Sequence, residues 1–542
     1  MPRVGALWAN SPHLLSPHEH PLPLSPQRCS LPSSRFVAGW NLRGASVART
    51  DACYHCRVKK LNFLLFNPDE WRGDCMGCAG DPTVLTPHAD ALAAHGTRFD
   101  QCHVQHPVCT PSRTSCMTGW YPHVRGHRTL WHHLRPDEPH LFRYLSEAGY
   151  DVRWYGKNDL LAPDSFANHV TEAGAHKGHG SHPANPWPMD DPRYYSFLFT
   201  AGGDPRGTDD YANVAAGIDF LRQPHDQPFC LFLPLGNPHP PYTAPQPYYD
   251  MYDAAVLPPL QPPHDAAHPL FYRRIHETRR LNEVGDETLR KIRAVYLGQI
   301  SYVDWMLGEL LRTLDETGLA DSTVVIVFSD HGDWAGDYGL VEKWPSALDT
   351  AMTRVPCILR LPEGARGHVV RDITELIDLT PTVLDLANIA LRHTQFGRSL
   401  VPQLYGAEGD PDRAAFAEGG YDPHEPHCFE GHVATEAFLR NPGHIYWPKA
   451  HLQQTEPMSV CRATMIRTAT HTLVRRPLER SELYDHAADP FCRRNRYDDV
   501  DQTQTRHTLE ARLLDWYIHT SDVVPVDQDP RGYPRPWMGS LH

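Results

Sequence analysis

Residues 61–70 read LNFLLFNPDE, an apolar run that ends in a proline and two acids, Asp69 and Glu70. A run of this length without polar alternation is typical of a strand buried on both faces, as in a parallel sheet. Similar apolar runs recur at 152–156, 228–235 and 323–330. Together they predict several buried strands spread over the first two thirds of the chain.

Helical patterns separate these runs. The clearest spans 289–314, where apolar residues recur at spacings of three to five and Gly318 follows. Strands that alternate with helices predict an α/β fold, with a large, mostly parallel (mixed) sheet between helices. Such sheets bind ligands beyond the carboxyl ends of their strands, where Asp69 and Asp330 are expected.

The sequence divides into three predicted segments. Residues 1–57 are rich in Pro, Ser, His and Arg, and we expect a disordered or non-native extension, or a transit peptide. Residues 58–405 carry the alternating pattern and are predicted to form the catalytic α/β domain. In residues 406–542 the alternation gives way to short strand-like pieces such as ATMIRT and HTLVRR, which predict a smaller α+β domain built on an antiparallel sheet.

Composition excludes several classes of function. The 542 residues carry a formal charge of −14 without a Lys/Arg-rich run, so the sequence predicts no binding to nucleic acid or to an anionic membrane. No stretch approaches the roughly 20 apolar residues that span a bilayer. The 13 cysteines are an odd number in a long chain, which indicates reduced thiols. We therefore expect a cytoplasmic protein, and its oligomeric state stays open.

The strongest local signal is Cys109-Thr110-Pro111-Ser112-Arg113, followed by TSCMTGWYPHVRGHRTL. It resembles the sulfatase signature C-x-P-x-R, and further segments resemble sulfatase blocks in the family's order. They are DEWRGD (69–74), GKND (156–159), NPHPPY (237–242), SDHGDWAGDYGLVEKW (329–344), IDLTPTVLDLA (377–387) and ELYDHAADP (482–490). The sequence is therefore similar to the formylglycine-dependent sulfatases of the alkaline phosphatase superfamily.

The resemblance implies a mechanism for the cleavage of a small or saccharide sulfate ester. Cys109 would be oxidised to formylglycine by a formylglycine-generating enzyme, and its hydrate would attack sulfur and form a covalent sulfo-enzyme intermediate. Arg113 would hold the hydrate ionised. Lys157 and Lys343 would surround the sulfate with positive charge, and His239 would donate a proton to the bridging oxygen.

One divalent metal ion is predicted at the strand ends. Asp69, Glu70, Asp330 and His331 can converge there, and a hard cation prefers mostly oxygen ligands. The resemblance makes calcium the expected ion, with magnesium and manganese as alternatives. Glu70 stands where the family commonly has a second Asp, and His331 where many members have Asn, so the identity of the ion stays open.

The sequence leaves other interpretations of its function and of its cysteines open. Phosphonate monoester and phosphodiester hydrolases share the modified cysteine and the Asp-His pair, although Lys157 favours a sulfatase. A non-catalytic relative that binds a metal or an anion would keep Cys109 as a thiol. The spacing of Cys53, Cys56, Cys75 and Cys78 also matches a structural zinc site. An acid pair and a predicted strand interrupt that spacing, which makes zinc the weaker interpretation.

Overall fold

The apolar run at 61–66 forms the start of the strand at the centre of the fold. The computed structural model describes residues 60–173, 183–432 and 434–523, which belong to one compact unit. The predicted extension at 1–57 lies outside the described residues.

Eight strands form the large sheet, in the order β4-β3-β5-β1-β6-β7-β2-β8. Neighbouring strands run parallel except β7, which is antiparallel to both β6 and β2. The predicted α/β class with a mostly parallel, mixed sheet is confirmed. The strands are β1 (Asn62–Asp69), β2 (Thr97–His103), β3 (Asp151–Trp154), β4 (Glu172–Ala173), β5 (Phe229–Pro238), β6 (Thr323–Phe328), β7 (Cys357–Arg360) and β8 (His368–Glu375).

Helices cover both faces of this sheet. The longest is α8 (Asp286–Glu316), which contains the helix predicted at 289–314, and Gly318 follows it with a φ of 70°. The remaining α-helices of the described residues, of which α13 packs on a smaller, C-terminal sheet, are α1 (Pro87–Ala94), α2 (Cys109–Thr118), α3 (Pro122–Arg125), α4 (Leu141–Glu147), α5 (Pro163–His169), α6 (Asp209–Leu221), α7 (Leu270–Thr278), α9 (Thr350–Thr353), α10 (Leu379–Leu386), α11 (Val401–Leu404), α12 (Trp447–Thr455) and α13 (Thr503–Thr520).

The β1 strand shows why this run is apolar throughout. Leu64 and Phe66 belong to a hydrophobic core shared with α6, α7 and α8, whereas Phe63 and Leu65 belong to a second core on the opposite face, shared with α4 and α10. Successive side chains of a strand point to opposite faces, so a strand covered on both sides needs apolar residues at every position.

A second, four-stranded antiparallel sheet lies in the C-terminal part, in the order β12-β11-β10-β9. The ATMIRT and HTLVRR pieces form β10 and β11, as predicted. Its strands are β9 (Ala415–Gly419), β10 (Ala463–Arg467), β11 (His471–Arg475) and β12 (Glu482–Asp485). The predicted boundary at residue 405 stays a prediction. Among the described residues, no helix combines the length and apolar character that a membrane crossing requires.

Candidate active site

The two predicted strand-end acids lie next to each other because β1 and β6 are parallel neighbours in the sheet. Asp69 ends β1, and Asp330 follows β6 by two residues. The backbone N–H of Glu70 donates to Asp330 Oδ1 at 3.2 Å, which ties the two strand ends together. Glu70 has a φ of 67°, a left-handed conformation that non-glycine residues seldom adopt. The chain therefore turns sharply just beyond Asp69.

Four side chains bring their donor atoms together at this point. One ligand atom each from Asp69, Cys109, Asp330 and His331 lies within 4.8 Å of the others, and all four residues are buried. His331 Nδ1 lies 2.9 Å from the carbonyl oxygen of Gly332, to which it donates as the hydrogen-bonded nitrogen. Its Nε2 is then the atom with a free lone pair, and it faces Cys109 Sγ at 3.2 Å.

The signature cysteine is the first residue of α2. Its Sγ lies 3.6 Å from Asp69 Oδ1. Arg113 follows one helical turn later on the same face, as residues four apart do in an α-helix. Its Nε donates to Asp330 Oδ2 at 2.8 Å, and another guanidinium nitrogen lies 3.4 Å from Asp69 Oδ2. The spacing of the signature thus places a nucleophile position and a cation against the same pair of acids.

Lys157 reaches the cluster from the end of β3. Its Nζ pairs with Asp69 Oδ2, lies 2.8 Å from Asp159 Oδ2 and approaches Cys109 Sγ at 3.7 Å. Gly156 permits this approach, because a Cβ at that position would lie 2.1 Å from the carbonyl oxygen of Pro234. The acid at position 159 therefore acts as a partner of Lys157.

Glu70, Lys343 and His239 form a second group beside the first. Lys343 Nζ pairs with Glu70 Oε1 and donates to His239 Nε2 at 2.8 Å. His239 Nδ1 lies 2.6 Å from the carbonyl oxygen of Pro240. Glu70 was predicted as a metal ligand, but its carboxylate is not among the four closely grouped donors; that role stays a prediction.

Burial and neighbouring charges shift the pKa values of the buried groups in the site. Burial opposes the ionisation of Asp69, but Lys157, His239 and Arg113 outweigh it and hold the pKa of that carboxyl well below its usual range. Burial and then Asp69 raise the pKa of the Cys109 thiol well above its usual range. Burial lowers the pKa of His331, although Asp330 opposes the shift. The unmodified thiol is therefore a protonated, weak nucleophile.

One long-range pairing beside the site gave no signal in the sequence. Glu342 precedes Lys343 and binds Lys449, 107 positions further along the chain. A contact of that span has no local pattern that could reveal it. Of the four cysteines with zinc-like spacing, Cys53 and Cys56 lie outside the described residues.

Comparison with known proteins identifies the chain. Residues 62–389 match the sequence profile of the family described as Sulfatase. The chain belongs to the sulfatase family. The predicted kinship is confirmed, and with it the prediction of a sulfuric ester hydrolase. The uncharacterized sulfatase YidJ of Escherichia coli (strain K12) is 27% identical over 519 residues, which cover 89% of this sulfatase and 93% of the relative.

Two further matches are a curated protein and a solved structure. The choline-sulfatase of Rhizobium meliloti (strain 1021) is 29% identical over 378 residues, which cover 64% of this sulfatase and 72% of the relative. Among solved structures, the phosphonate monoester hydrolase of Agrobacterium radiobacter superposes with a TM-score of 0.67 at 23% identity, covering 85% of this sulfatase and 96% of that chain. That likeness shows the shared fold.

Proposed function

We propose that this sulfatase hydrolyses a sulfate ester through a formylglycine hydrate made from Cys109, with one divalent metal ion, by way of a covalent sulfo-enzyme intermediate. The observation that carries the proposal is the position of Cys109 Sγ, 3.6 Å from Asp69 Oδ1 and 3.2 Å from His331 Nε2. A formylglycine hydrate at this position would supply one hydroxyl to attack sulfur and a second whose deprotonation releases sulfate.

The donor set fits a divalent cation. Asp69 and Asp330 offer carboxylate oxygens, and His331 offers the lone pair of Nε2. Glu70 Oε2 is buried and has no hydrogen-bond partner among the described residues, which supports Glu70 as a further ligand. Bound there, the ion would polarise the sulfate oxygens and favour the ionised hydrate. The oxygen-rich set favours calcium, with magnesium or manganese as alternatives.

The surrounding cations have distinct roles in this proposal. Arg113 contacts both acids from α2, fixes their orientation and lowers the cost of ionising a hydroxyl at position 109. Lys157 and Lys343 lie on two sides of the site, where they can balance the negative charge of the sulfate oxygens.

His239 is proposed to protonate the leaving oxygen. Its contact with the carbonyl of Pro240 fixes the ring, and Nε2 is the nitrogen that faces Lys343. In the resting state Lys343 donates to this nitrogen. A protonated His239 would instead present Nε2–H to the bridging oxygen of the ester.

The substrate is proposed to be a small or saccharide sulfate ester. Choline-sulfatase and the ulvan-active sulfatase of Formosa agariphila (strain DSM 15362 / KCTC 12365 / LMG 23005 / KMM 3901 / M-2Alg 35-1) are among the relatives. A solved structure with a TM-score of 0.63 and 19% identity holds D-glucosamine-2-N,6-O-disulfate as its substrate. The second candidate is phosphonate monoester or phosphodiester hydrolysis. It is favoured by His331 in the Asp-His pair and by the relative from Trinickia caryophylli named as a multifunctional alkaline phosphatase superfamily protein.

Two measurements test the proposal on protein coexpressed with a formylglycine-generating enzyme. Mass spectrometry of the peptide that contains Cys109 should show the loss of mass that accompanies conversion of the thiol to an aldehyde. Parallel assays with an aryl sulfate and a phosphodiester should then show higher kcat/KM for the sulfate. A fully modified protein that prefers the phosphodiester would favour the second candidate. A modified protein that turns over neither substrate would contradict both.

A further inference from the structure

The residues proposed to bind the metal ion or the sulfate are called the catalytic group; they are Asp69, Glu70, Cys109, Arg113, Lys157, His239, Asp330, His331 and Lys343. Buried charges continue beyond this group on the side of Lys343. Glu342 and Lys449 are 1% and 2% exposed, respectively, as side chains. Glu342 Oε1 accepts from Lys449 Nζ at 2.7 Å, and the same oxygen lies 3.5 Å from Lys343 Nζ. One carboxylate oxygen is thus shared between the proposed catalytic lysine and a second lysine that lies outside the catalytic group.

The C-terminal part of the chain supplies much of this network. Lys449 belongs to α12, and Glu430, 3.4 Å from its Nζ, lies in the preceding segment. Arg279, just after α7, lies 3.3 Å from Glu342 Oε2. Counted with Lys343 and Glu70, the group holds three cations and three carboxyl groups. Charges removed from water are stable only when they are paired in this way.

The position of Glu342 is closely fixed. Its backbone N–H donates to the hydroxyl of Tyr242 at 2.8 Å, and its φ of 64° is left-handed. The Tyr242 hydroxyl in turn donates to Asp333 Oδ1 at 2.7 Å. Because the backbone is held at this point, the direction of the Glu342 carboxylate depends on the cations that bind it.

We propose that Lys449 is a positioning residue for Lys343 and that it acts through Glu342. Among the described residues, Lys343 has three acceptors in reach, which are Glu70, His239 and Glu342. While Lys449 occupies Oε1 of Glu342, the longer contact from Lys343 stays secondary, and the ammonium group stays between Glu70 and His239. The inference rests on the proposed function, since it assigns Lys343 to the sulfate.

Loss of Lys449 would change the balance of attraction around Lys343. Glu342 Oε1 would lose its closest partner inside a site that excludes water, where an unpaired charge is costly. Arg279 already lies 3.3 Å from Oε2, so the nearest cation to Oε1 is Lys343, at 3.5 Å, and Lys343 would move towards Glu342. A displacement of about 1 Å at a group that contacts the substrate can lower turnover roughly 100-fold.

The test compares Lys449→Met with the double variant Glu342→Gln/Lys449→Met in fully modified protein. We expect Lys449→Met to lower kcat/KM for an aryl sulfate roughly 10- to 100-fold, and to weaken the competitive inhibition by inorganic sulfate. The double variant removes the unpaired carboxylate as well, so it should recover at least about tenfold relative to Lys449→Met. All kcat/KM values are expressed per folded molecule, because removal of the unpaired carboxylate would also restore stability; a role in folding alone would leave these values equal in the wild type and both variants.

Arg476→Met is the matched control. Arg476 is also about 2% exposed and pairs with a buried acid, Glu482, at 2.7 Å, but it lies in the C-terminal sheet region. Thermal unfolding of each variant measures the loss of stability, and Arg476→Met should keep wild-type kcat/KM per folded molecule. If Lys449→Met does not fold, Lys449→Gln takes its place in the same comparison.

The outcomes separate the inference from the proposed function. An inactive but fully modified wild-type protein contradicts the proposed function. Calorimetric binding of inorganic sulfate to the wild type, Lys449→Met and the double variant then still tests the positioning role. A double variant that is no better than Lys449→Met, or an equal loss in Arg476→Met, would overturn the inference.

Discussion

Replacing Asp330 with asparagine removes one negative charge from the strand-end cluster and keeps the shape of the side chain. The carboxylate accepts hydrogen bonds from Glu70 N–H and from Arg113 Nε, at 3.2 and 2.8 Å. An asparagine Oδ1 can still accept from Glu70. The Nδ2 amide of the asparagine would take the place of Oδ2 and face Arg113 Nε. Both groups donate hydrogen bonds, so this contact would be lost.

The expected cost can be worked out from these contacts. Breaking one partner of a buried ion pair costs about 3–5 kcal/mol of stability. Asp69 lies 3.4 Å from another nitrogen of Arg113 and remains in place, so we expect the lower end, about 3 kcal/mol. The proposed metal site also loses one of its two closely grouped carboxylates. A loss of about 10³-fold in kcat/KM corresponds to about 4 kcal/mol of transition-state stabilisation.

The assay measures kcat/KM for an aryl sulfate, metal content by mass spectrometry and thermal unfolding in the same preparations. Asp378→Asn is the matched control, because Asp378 is fully buried and pairs with Arg413 at 2.8 Å without contacting the catalytic group. It should lose stability and keep its activity per folded molecule. If Asp330→Asn keeps full activity, also after the metal has been removed, the reasoning is refuted.

Three further changes have separate expected outcomes. Calcium at about 100 times its Kd should raise the unfolding free energy of the wild type by about 2.7 kcal/mol and that of Asp330→Asn by much less; an equal response, measured by thermal unfolding, would place the ion elsewhere. Gly156→Ala should lower activity and stability, since its Cβ would lie 2.1 Å from the oxygen of Pro234, whereas Gly149→Ala, with open space around it, should cost about 1–2 kcal/mol and no activity. Burial raises the pKa of Asp304 to about 7, so its protonated form favours the folded state below that pH. The unfolding free energy of the wild type, compared with Asp304→Asn, should therefore fall by about 2 kcal/mol from about pH 5.5 to about pH 7.5; parallel urea titrations that show a constant difference would contradict this.

The central strands and the meeting of their acids could be predicted because both follow from local pattern. An apolar run such as LNFLLF is typical of a strand that is buried on both faces. Parallel neighbouring strands end at the same edge of a sheet. Asp69 and Asp330 therefore had to approach each other once β1 and β6 were adjacent. The position of Cys109 relative to them came from the resemblance alone, because nothing in the spacing of α2 indicates which strand ends it faces.

Other parts of the site depend on contacts between distant segments. The direction of the Glu70 carboxylate is set by a left-handed backbone and by a pairing with Lys343, and the sequence indicates neither that conformation nor that pairing. Lys449 lies in a Pro- and His-containing region without clear periodicity, and its role depends on the way α12 packs against the catalytic part. Such pairings are determined by the tertiary structure, since each partner alone looks like an ordinary surface residue.

The complete burial of α2 limits the time at which Cys109 is accessible to another enzyme. All ten residues from Cys109 to Thr118 are buried, so the folded chain presents no part of the signature to another protein. If Cys109 is converted to formylglycine as proposed, the modifying enzyme would have to act before this segment is buried. If activity depends on formylglycine as proposed, a molecule that folds first would keep its cysteine and stay inactive, and the specific activity of a preparation would report the fraction of molecules that were oxidised before they folded.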